Sequence, residues 1–153
     1  MKNLLRRHPQ TTIIWAHVGL GRIVHPVGYG SSSSGGQISS HVDVVDDILI
    51  DPTLNHVYFD ISWDEVAKYI VSTDKTIQRS ANLFNANPNR FLFGTDVVAP
   101  PTQEFYMAVY EMYAPLWRAL TPEASEKIRK GNYIRLFDEA RKKVRAWESA
   151  SKK

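Results

Sequence analysis

The 153-residue sequence contains no cysteine. Disulfides, thiolate zinc clusters and a cysteine nucleophile are therefore excluded, and any metal must be held by histidine and carboxylate side chains. A chain without cysteine also suits a reducing compartment, so we expect the protein to be cytoplasmic.

Long hydrophobic runs are missing as well. No apolar stretch approaches the roughly 18 residues of a membrane span. The longest candidate, Ile13 to Leu20, is interrupted by His17 and Gly19. We therefore expect no membrane partner.

The body of the chain has almost no net charge. The formal net charge is +3, but residues 139–153 hold six Lys or Arg against two Glu and contribute +4 alone. The remaining residues sum to −1, which offers no surface for tracking phosphates. We therefore expect no nucleic-acid partner, and we assign residues 148–153 to a basic tail.

The length fits a single domain, residues 1–153, because 43% hydrophobic residues are enough to fill one core. It is too short for a closed eight-stranded α/β barrel, which usually needs roughly 200 to 250 residues.

Residues 28–40 contain four Gly and six Ser. This composition predicts a flexible loop, either an active-site lid or a linker.

Short strand patterns alternate with helical patterns along the chain. Strands rich in β-branched and aromatic residues are predicted at Thr11 to Val18, Val57 to Ile61 and Phe91 to Gly94. Helices are predicted from Ser40 to Asp51, from a Ser62–Glu65 capping box through Val71, from Asp74, along one long helix bearing Phe105 and Leu116, from Thr121 to Gly131, and from Asn132 to about Trp147. This alternation predicts an α/β fold with a parallel sheet.

Polar residues follow each predicted strand. His17 ends the first strand, Asp60 and Ser62 end the second, and Asp96 follows the third. Because ligand sites of parallel sheets lie beyond the carboxyl ends of the strands, we expect His17 and Asp96 to share a pocket. Each residue taken alone also has a structural explanation, as a hydrogen-bonded histidine or as a helix cap.

Four segments together resemble the amidohydrolase superfamily. They are Ile-Trp-Ala-His-Val-Gly at 14–19, Val-Tyr-Phe-Asp-Ile-Ser at 57–62, Arg-Phe-Leu-Phe-Gly-Thr-Asp at 90–96 and Asn-Tyr-Ile-Arg-Leu-Phe at 132–137. They are most similar to the amidohydrolase-related branch that includes the carboxymuconate-semialdehyde decarboxylase type. The resemblance implies a metal-dependent (β/α)8 barrel, of which this chain would hold the C-terminal part, strands six to eight.

The resemblance also implies roles for individual residues. Asp96 would bind a divalent metal, zinc being expected, and take a proton from metal-bound water. His17 would either bind a second metal or polarise the substrate and activate water, so both residues are candidate catalytic residues and metal ligands. Arg22 would pair with a substrate carboxylate, unless it is a plain surface arginine, and Trp63 would line the substrate pocket.

The family's His-x-His pair and its strand-five ligand have no counterpart here. With two protein ligands where catalytic zinc commonly has three, we expect weak metal binding. The expected function is a hydrolase or decarboxylase for a small carboxylate-bearing molecule. The alternatives are a non-catalytic α/β module for binding or assembly, and a degenerate remnant without a ligand.

Uncovered sheet edges and apolar surface are further consequences of a partial barrel. Unpaired strand edges and exposed apolar faces favour association. We therefore expect a homo-oligomer, or a partner that supplies the missing N-terminal half-barrel.

Overall fold

Three short parallel strands form the sheet at the centre of the fold. The computed structural model describes residues 2–20 and 41–151. In that part, β1 (Ile13–Trp15) and β3 (Phe91–Leu92) flank β2 (Val57–Asp60), and both pair with it in parallel. The predicted α/β fold with a parallel sheet is confirmed, whereas the predicted flexible loop at 28–40 and Arg22 lie outside the described residues.

Helices cover the sheet and continue to the end of the described chain. They are α1 (Lys2–Arg6), α2 (His41–Leu49), α3 (Asp64–Ile70), α4 (Asp74–Ala86), α5 (Gln103–Met112), α6 (Ala114–Ala119), α7 (Pro122–Glu126) and α8 (Asn132–Ser151), with short 3-10 turns at Ala16–Gly19 and Pro52–Leu54. None of these described helices combines the length and the apolar character that a bilayer crossing requires.

Several boundaries differ from the sequence prediction, and three of these differences have a clear physical cause. β1 stops at Trp15 because His17 and Val18 take positive φ angles of 55° and 47°, which leave the extended conformation. The predicted long helix is two helices, α5 and α6, because Pro115 lies in the first turn of α6 and has no amide hydrogen to continue a helix. The expected helix end at Gly131 is wrong: a π-helical turn, Lys127–Gly131, leads into α8, and Asn132 keeps helical angles.

One face of the sheet belongs to the main core. The rings of Trp15 and Phe59 stack at 6.1 Å, those of Phe59 and Phe91 at 5.6 Å, and Phe84 of α4 extends the row at 4.2 Å from Phe91. Phe59 and Phe91 are fully buried. Since side chains alternate along a strand, the opposite face carries the residues between them. Ile14 on that face remains 37% exposed.

The outer edge of β3 is covered by the chain itself. The Asn132 amide donates to the carbonyl oxygens of Phe91 at 2.8 Å and Pro88 at 2.7 Å, and the Phe93 amide donates to the Ile128 carbonyl at 3.0 Å. The expectation that both sheet edges are uncovered is therefore wrong for β3. The π-helical turn and the start of α8 satisfy that edge.

Candidate functional site

The candidate site lies where the three strands end. His17 follows β1, Asp60 and Ser62 lie at the end of β2, and Asp96 follows β3. The His17 Nε2 atom is 3.7 Å from Asp96 Oδ2, and the two side chains are 32% and 43% exposed. The parallel sheet thus brings together the two side chains that the sequence predicted to be adjacent, and both are reachable from solvent.

The backbone around these residues is strained. His17, Trp63 and Asp96 have φ angles of 55°, 89° and 56°, and Val18 has 47°. Non-glycine residues rarely adopt positive φ, and each instance costs roughly 1–3 kcal/mol. Strain of this kind collects at functional sites, because the surrounding fold must hold it in place. Its presence at all three strand exits supports the assignment of the site.

The orientation of His17 is fixed by Ser62. The His17 Nδ1 atom lies 3.3 Å from the Ser62 carbonyl oxygen and 3.2 Å from the Ser62 Oγ atom. Since a carbonyl oxygen only accepts, this contact is a hydrogen bond when the proton is on Nδ1. In the neutral ring, the lone pair then belongs to Nε2, the atom that faces Asp96.

Ser62 is in turn held by Asp60. Its hydroxyl donates to Asp60 Oδ2 at 2.5 Å, and its backbone amide donates to Asp60 Oδ1 at 2.9 Å. The Ser62 side chain is buried. A continuous chain of hydrogen bonds therefore runs from Asp60 through Ser62 to His17, and it orients the imidazole as outer-shell partners do in metal and acid–base sites.

The predicted capping box at Ser62 and Glu65 is wrong. Trp63 occupies the N-cap position of α3, and its side chain makes no hydrogen bond to the helix. The Ser62 hydroxyl bonds the Asp60 carboxylate instead. Ser62 thus belongs to the candidate site and not to the helix terminus.

Trp63 borders His17 directly. The centroids of the two rings are 5.3 Å apart at an interplanar angle of 52°. The Tyr113 hydroxyl anchors the segment 61–63, which follows β2. It donates to the Trp63 carbonyl at 2.9 Å and also contacts the Ile61 carbonyl. The strained Trp63 backbone is therefore anchored by a side chain from the junction of α5 and α6.

Tyr113 was not a candidate from sequence. It is fully buried, and burial, followed by the carboxylates of Asp60 and Asp64, raises the pKa of its hydroxyl. The hydroxyl consequently stays protonated and remains a donor. No local pattern in the sequence signals this role, because its partners lie 50 and 52 residues away.

His41 supports the turn that contains His17. Its Nε2 atom lies 2.6 Å from the Val18 carbonyl, and its ring packs edge-on against Tyr69 at 5.9 Å. Burial lowers the pKa of His41, and the hydrogen bond to Val18 only partly opposes this. A neutral His41 that donates from Nε2 therefore holds the turn from α2.

The described residues do not form a complete catalytic metal site. In residues 2–20 and 41–151, no three His, Asp or Glu side chains gather closely enough to hold an ion. His17 and Asp96 together offer one nitrogen and one carboxylate, whereas catalytic zinc commonly has three protein ligands. A metal at this position would need at least one further ligand.

A separate open cleft of about 740 Å³ lies beside the exit of β3. Its walls include Gly94, Thr95, Tyr106, Tyr110 and Arg129. The Arg129 guanidinium lies over the rings of Tyr110 at 5.3 Å and Trp117 at 5.6 Å. Among the described residues, this lining includes neither His17 nor Asp96, so the cleft is distinct from the candidate site.

Comparison with known proteins agrees with the α/β fold class. A family model described as Amidohydrolase matches residues 1–138. The chain belongs to this amidohydrolase family. Neither the curated proteins nor the solved structures gave a match. The family match includes all three strands and both His17 and Asp96, and amidohydrolase membership indicates an activity of the hydrolase or decarboxylase type in general.

Proposed function

We propose that His17 and Asp96 belong to the active site of a metal-dependent hydrolase or decarboxylase that acts on a small carboxylate-bearing molecule. The observation that carries this proposal is the 3.7 Å distance between His17 Nε2 and Asp96 Oδ2 at the carboxyl end of a parallel sheet. Membership of the amidohydrolase family supports the reaction class. The segments at 14–19, 57–62 and 90–96 support the decarboxylase-containing branch by their resemblance.

The three strands would correspond to strands six to eight of an amidohydrolase barrel. In such a barrel, residues from several strand ends contribute to one site. The remaining ligands of a divalent metal, zinc in our proposal, would come from the other strands, in a partner half-barrel or a longer form of the chain. The two ligands of this chain would complete that site.

Where its Nε2 atom does not bind the metal, His17 is the proposed proton acceptor and donor. With its Nδ1 proton bonded to Ser62, the neutral ring presents the Nε2 lone pair to a water molecule or to substrate. After the ring takes up a proton at Nε2, the Asp96 carboxylate lies next to the positive charge and stabilises it. Asp60 and Ser62 keep the ring in this orientation throughout.

Trp63 and Arg22 are the proposed substrate-binding residues. The Trp63 ring lies against His17 and would form a wall of the substrate pocket. Arg22 follows His17 by five residues in the sequence. Its guanidinium group would pair with the substrate carboxylate through two parallel hydrogen bonds.

Zinc titration by calorimetry tests the metal part of the proposal. We expect weak binding to the wild-type chain. Substituting either ligand, as His17→Ala or Asp96→Ala, should weaken it further by at least about tenfold. His8→Ala and Asp47→Ala are matched controls, because these exposed side chains lie elsewhere in the fold, and they should leave the affinity unchanged.

The rival function is a non-catalytic α/β module for binding or assembly. It is favoured by the absence of a three-ligand group among the described residues. If Asp96→Ala and His17→Ala bind zinc as the wild type does, the metal site is refuted and this second function is preferred.

A further inference from the structure

The C-terminal helix α8 carries an exposed apolar stripe, and two of its residues, Phe137 and Ala140, border an open cleft of about 320 Å³ that Ile14 of β1 also lines. Tyr133, Phe137, Val144 and Trp147 are 54%, 46%, 52% and 70% exposed, and Ala140 lies between them on the same side of the helix. From residue 139 to residue 151, no side chain is buried. The second half of α8 thus projects its apolar residues into solvent.

The spacing of the stripe is that of a coiled-coil seam. Its members follow one another at intervals of four, three, four and three residues, which places them at positions a and d of a heptad. A helix that packs on its own core usually has a wider stripe, with apolar residues at e or g as well. Beyond residue 138 the seam is instead flanked by Arg141, Lys143 and Glu148.

Three of the five residues of this stripe lie beyond the part of the chain that the family model matches. The amidohydrolase match ends at residue 138, whereas Ala140, Val144 and Trp147 come after it. These three residues lie in the part of α8 where no side chain is buried.

We propose that α8 pairs in parallel with α8 of a second copy of this chain and forms a homodimer. In a parallel pair, position g of one helix lies near position e of the next heptad in the other helix. This places Lys143 beside Glu148 of the second copy, and two-fold symmetry repeats the ion pair. Within one chain, Glu148 also pairs with Arg145 at 2.7 Å. This ion pair is exposed and contributes little stability, so Glu148 can contact Lys143 of the second copy at little cost in free energy.

Charge disfavours the antiparallel register in which the two seams are centred on residue 142. If Ala140 packed against Val144 of the second copy in antiparallel orientation, Arg141 would face Arg141 and Lys143 would face Lys143. Like charges in these flanking positions repel one another. Between this antiparallel register and the parallel pair, the charges on α8 therefore favour the parallel pair.

The size of the seam indicates a reversible dimer. A fully buried aromatic side chain contributes roughly 150–250 Å², and the three aromatic residues of the stripe are about half exposed in one chain. Two copies would bury an area below the roughly 1,200–2,000 Å² found in stable interfaces. We expect dissociation in the micromolar range.

Sedimentation velocity of the full chain across micromolar concentrations tests the proposal. Ala140→Lys places a charge in the seam and should weaken the dimer by at least about tenfold. Ala146→Lys makes the same chemical change at position c, on the opposite side of the same exposed helix. It should leave the dimer unchanged. A chain that stays monomeric, or a dimer that both variants weaken equally, overturns the proposal.

A charge exchange tests the ion pair. Lys143→Glu and Glu148→Lys should each weaken association about threefold, as expected for two exposed ion pairs per dimer. The double variant should restore it. If the double variant is weaker than both single variants, the parallel register is wrong.

Disulfide cross-linking tests the relative orientation of the two helices. Because the chain has no native cysteine, each introduced cysteine can pair only with its copy in the second chain. Ser151→Cys lies at the next position a and should give a disulfide-linked dimer under mild oxidation. Ser149→Cys lies at position f and should give little. A dimer in solution that Ser151→Cys does not cross-link overturns the parallel arrangement.

Discussion

His17 lies in the short turn after β1, and His41 holds that turn from α2. His17 is about one-third exposed and presents Nε2 to Asp96. His41 is enclosed by Tyr69 and bonded to the Val18 carbonyl, and burial lowers its pKa. Histidine thus has two roles in this region: His17 is the group for proton transfer in our proposal, and His41 gives structural support.

The lowered pKa of His41 predicts a pH-dependent stability. The unfolded chain protonates this residue near pH 6.5, and the folded chain does so only at lower pH. In this interval the unfolded state binds more protons, so stability rises with pH. The contribution of His41 to the free energy of unfolding is complete above its pKa in the unfolded chain. It is lost as the pH falls through its pKa in the folded chain.

Urea unfolding between about pH 8 and pH 5 measures this effect. The free energy of unfolding of His41→Gln should fall less on acidification than that of the wild type, because glutamine donates to Val18 but does not titrate. His8→Gln changes an exposed histidine and should retain the wild-type slope. Equal slopes for wild type and His41→Gln would contradict the prediction.

At the scale of helices and strands, local patterns were sufficient for the order of the three strands and of most helices, but they missed α1 and the break between α5 and α6. β-branched and aromatic runs marked all three strands, and Thr73, Thr102 and Thr121 cap their helices through side-chain oxygens. Ser62 shows where a local pattern is ambiguous. A hydroxyl can bond either a helix amide or a neighbouring carboxylate, and Asp60 two residues earlier competes for it.

Long-range hydrogen bonds were not accessible from the sequence. Asn132 covers the edge of β3, and Tyr113 holds the segment after β2, each from more than forty residues away. Both are single polar groups in otherwise ordinary helical segments. Only the packing of elements against one another creates their partners.

Removal of the Tyr113 hydroxyl should destabilise the fold. In Tyr113→Phe, the Ile61 and Trp63 carbonyls lose their donor in a buried setting, which costs about 1–3 kcal/mol in the free energy of unfolding. Tyr106→Phe removes the hydroxyl of an exposed tyrosine and should change stability by less than about 0.5 kcal/mol. Urea denaturation gives both values. Similar values for the two variants would show that the buried hydroxyl does not anchor the segment.

At the scale of the whole molecule, the topology explains why the proximity of His17 and Asp96 was predictable. The carboxyl ends of parallel strands lie at the same edge of a sheet. Residues that directly follow different strands are therefore close together there, even when long connections separate them in the sequence. The positive φ angles of His17, Trp63 and Asp96 were not predictable. They depend on contacts from Ser62, Tyr113 and His41 that the completed fold supplies.

Packing is distributed unevenly over the molecule. β2 lies between two strands, and Val57 and Phe59 are fully buried. The end of α8, residues 139–151, has no buried side chain, so its hydrogen bonds have little tertiary support. The central strand should therefore open only with global unfolding, whereas the helix end opens locally.

Amide hydrogen exchange should separate these two regions. In dilute solution, where the chain is monomeric, amides of β2 should exchange at least about 10³-fold more slowly than those of residues 143–151, because global unfolding of a domain costs several kcal/mol and fraying costs almost nothing. At high concentration, protection should rise in α8 of the wild type and of Ala146→Lys, but not in Ala140→Lys. Residues 143–151 that exchange as slowly as β2 at every concentration would show that the helix end packs within one chain and that no second copy is needed to cover it.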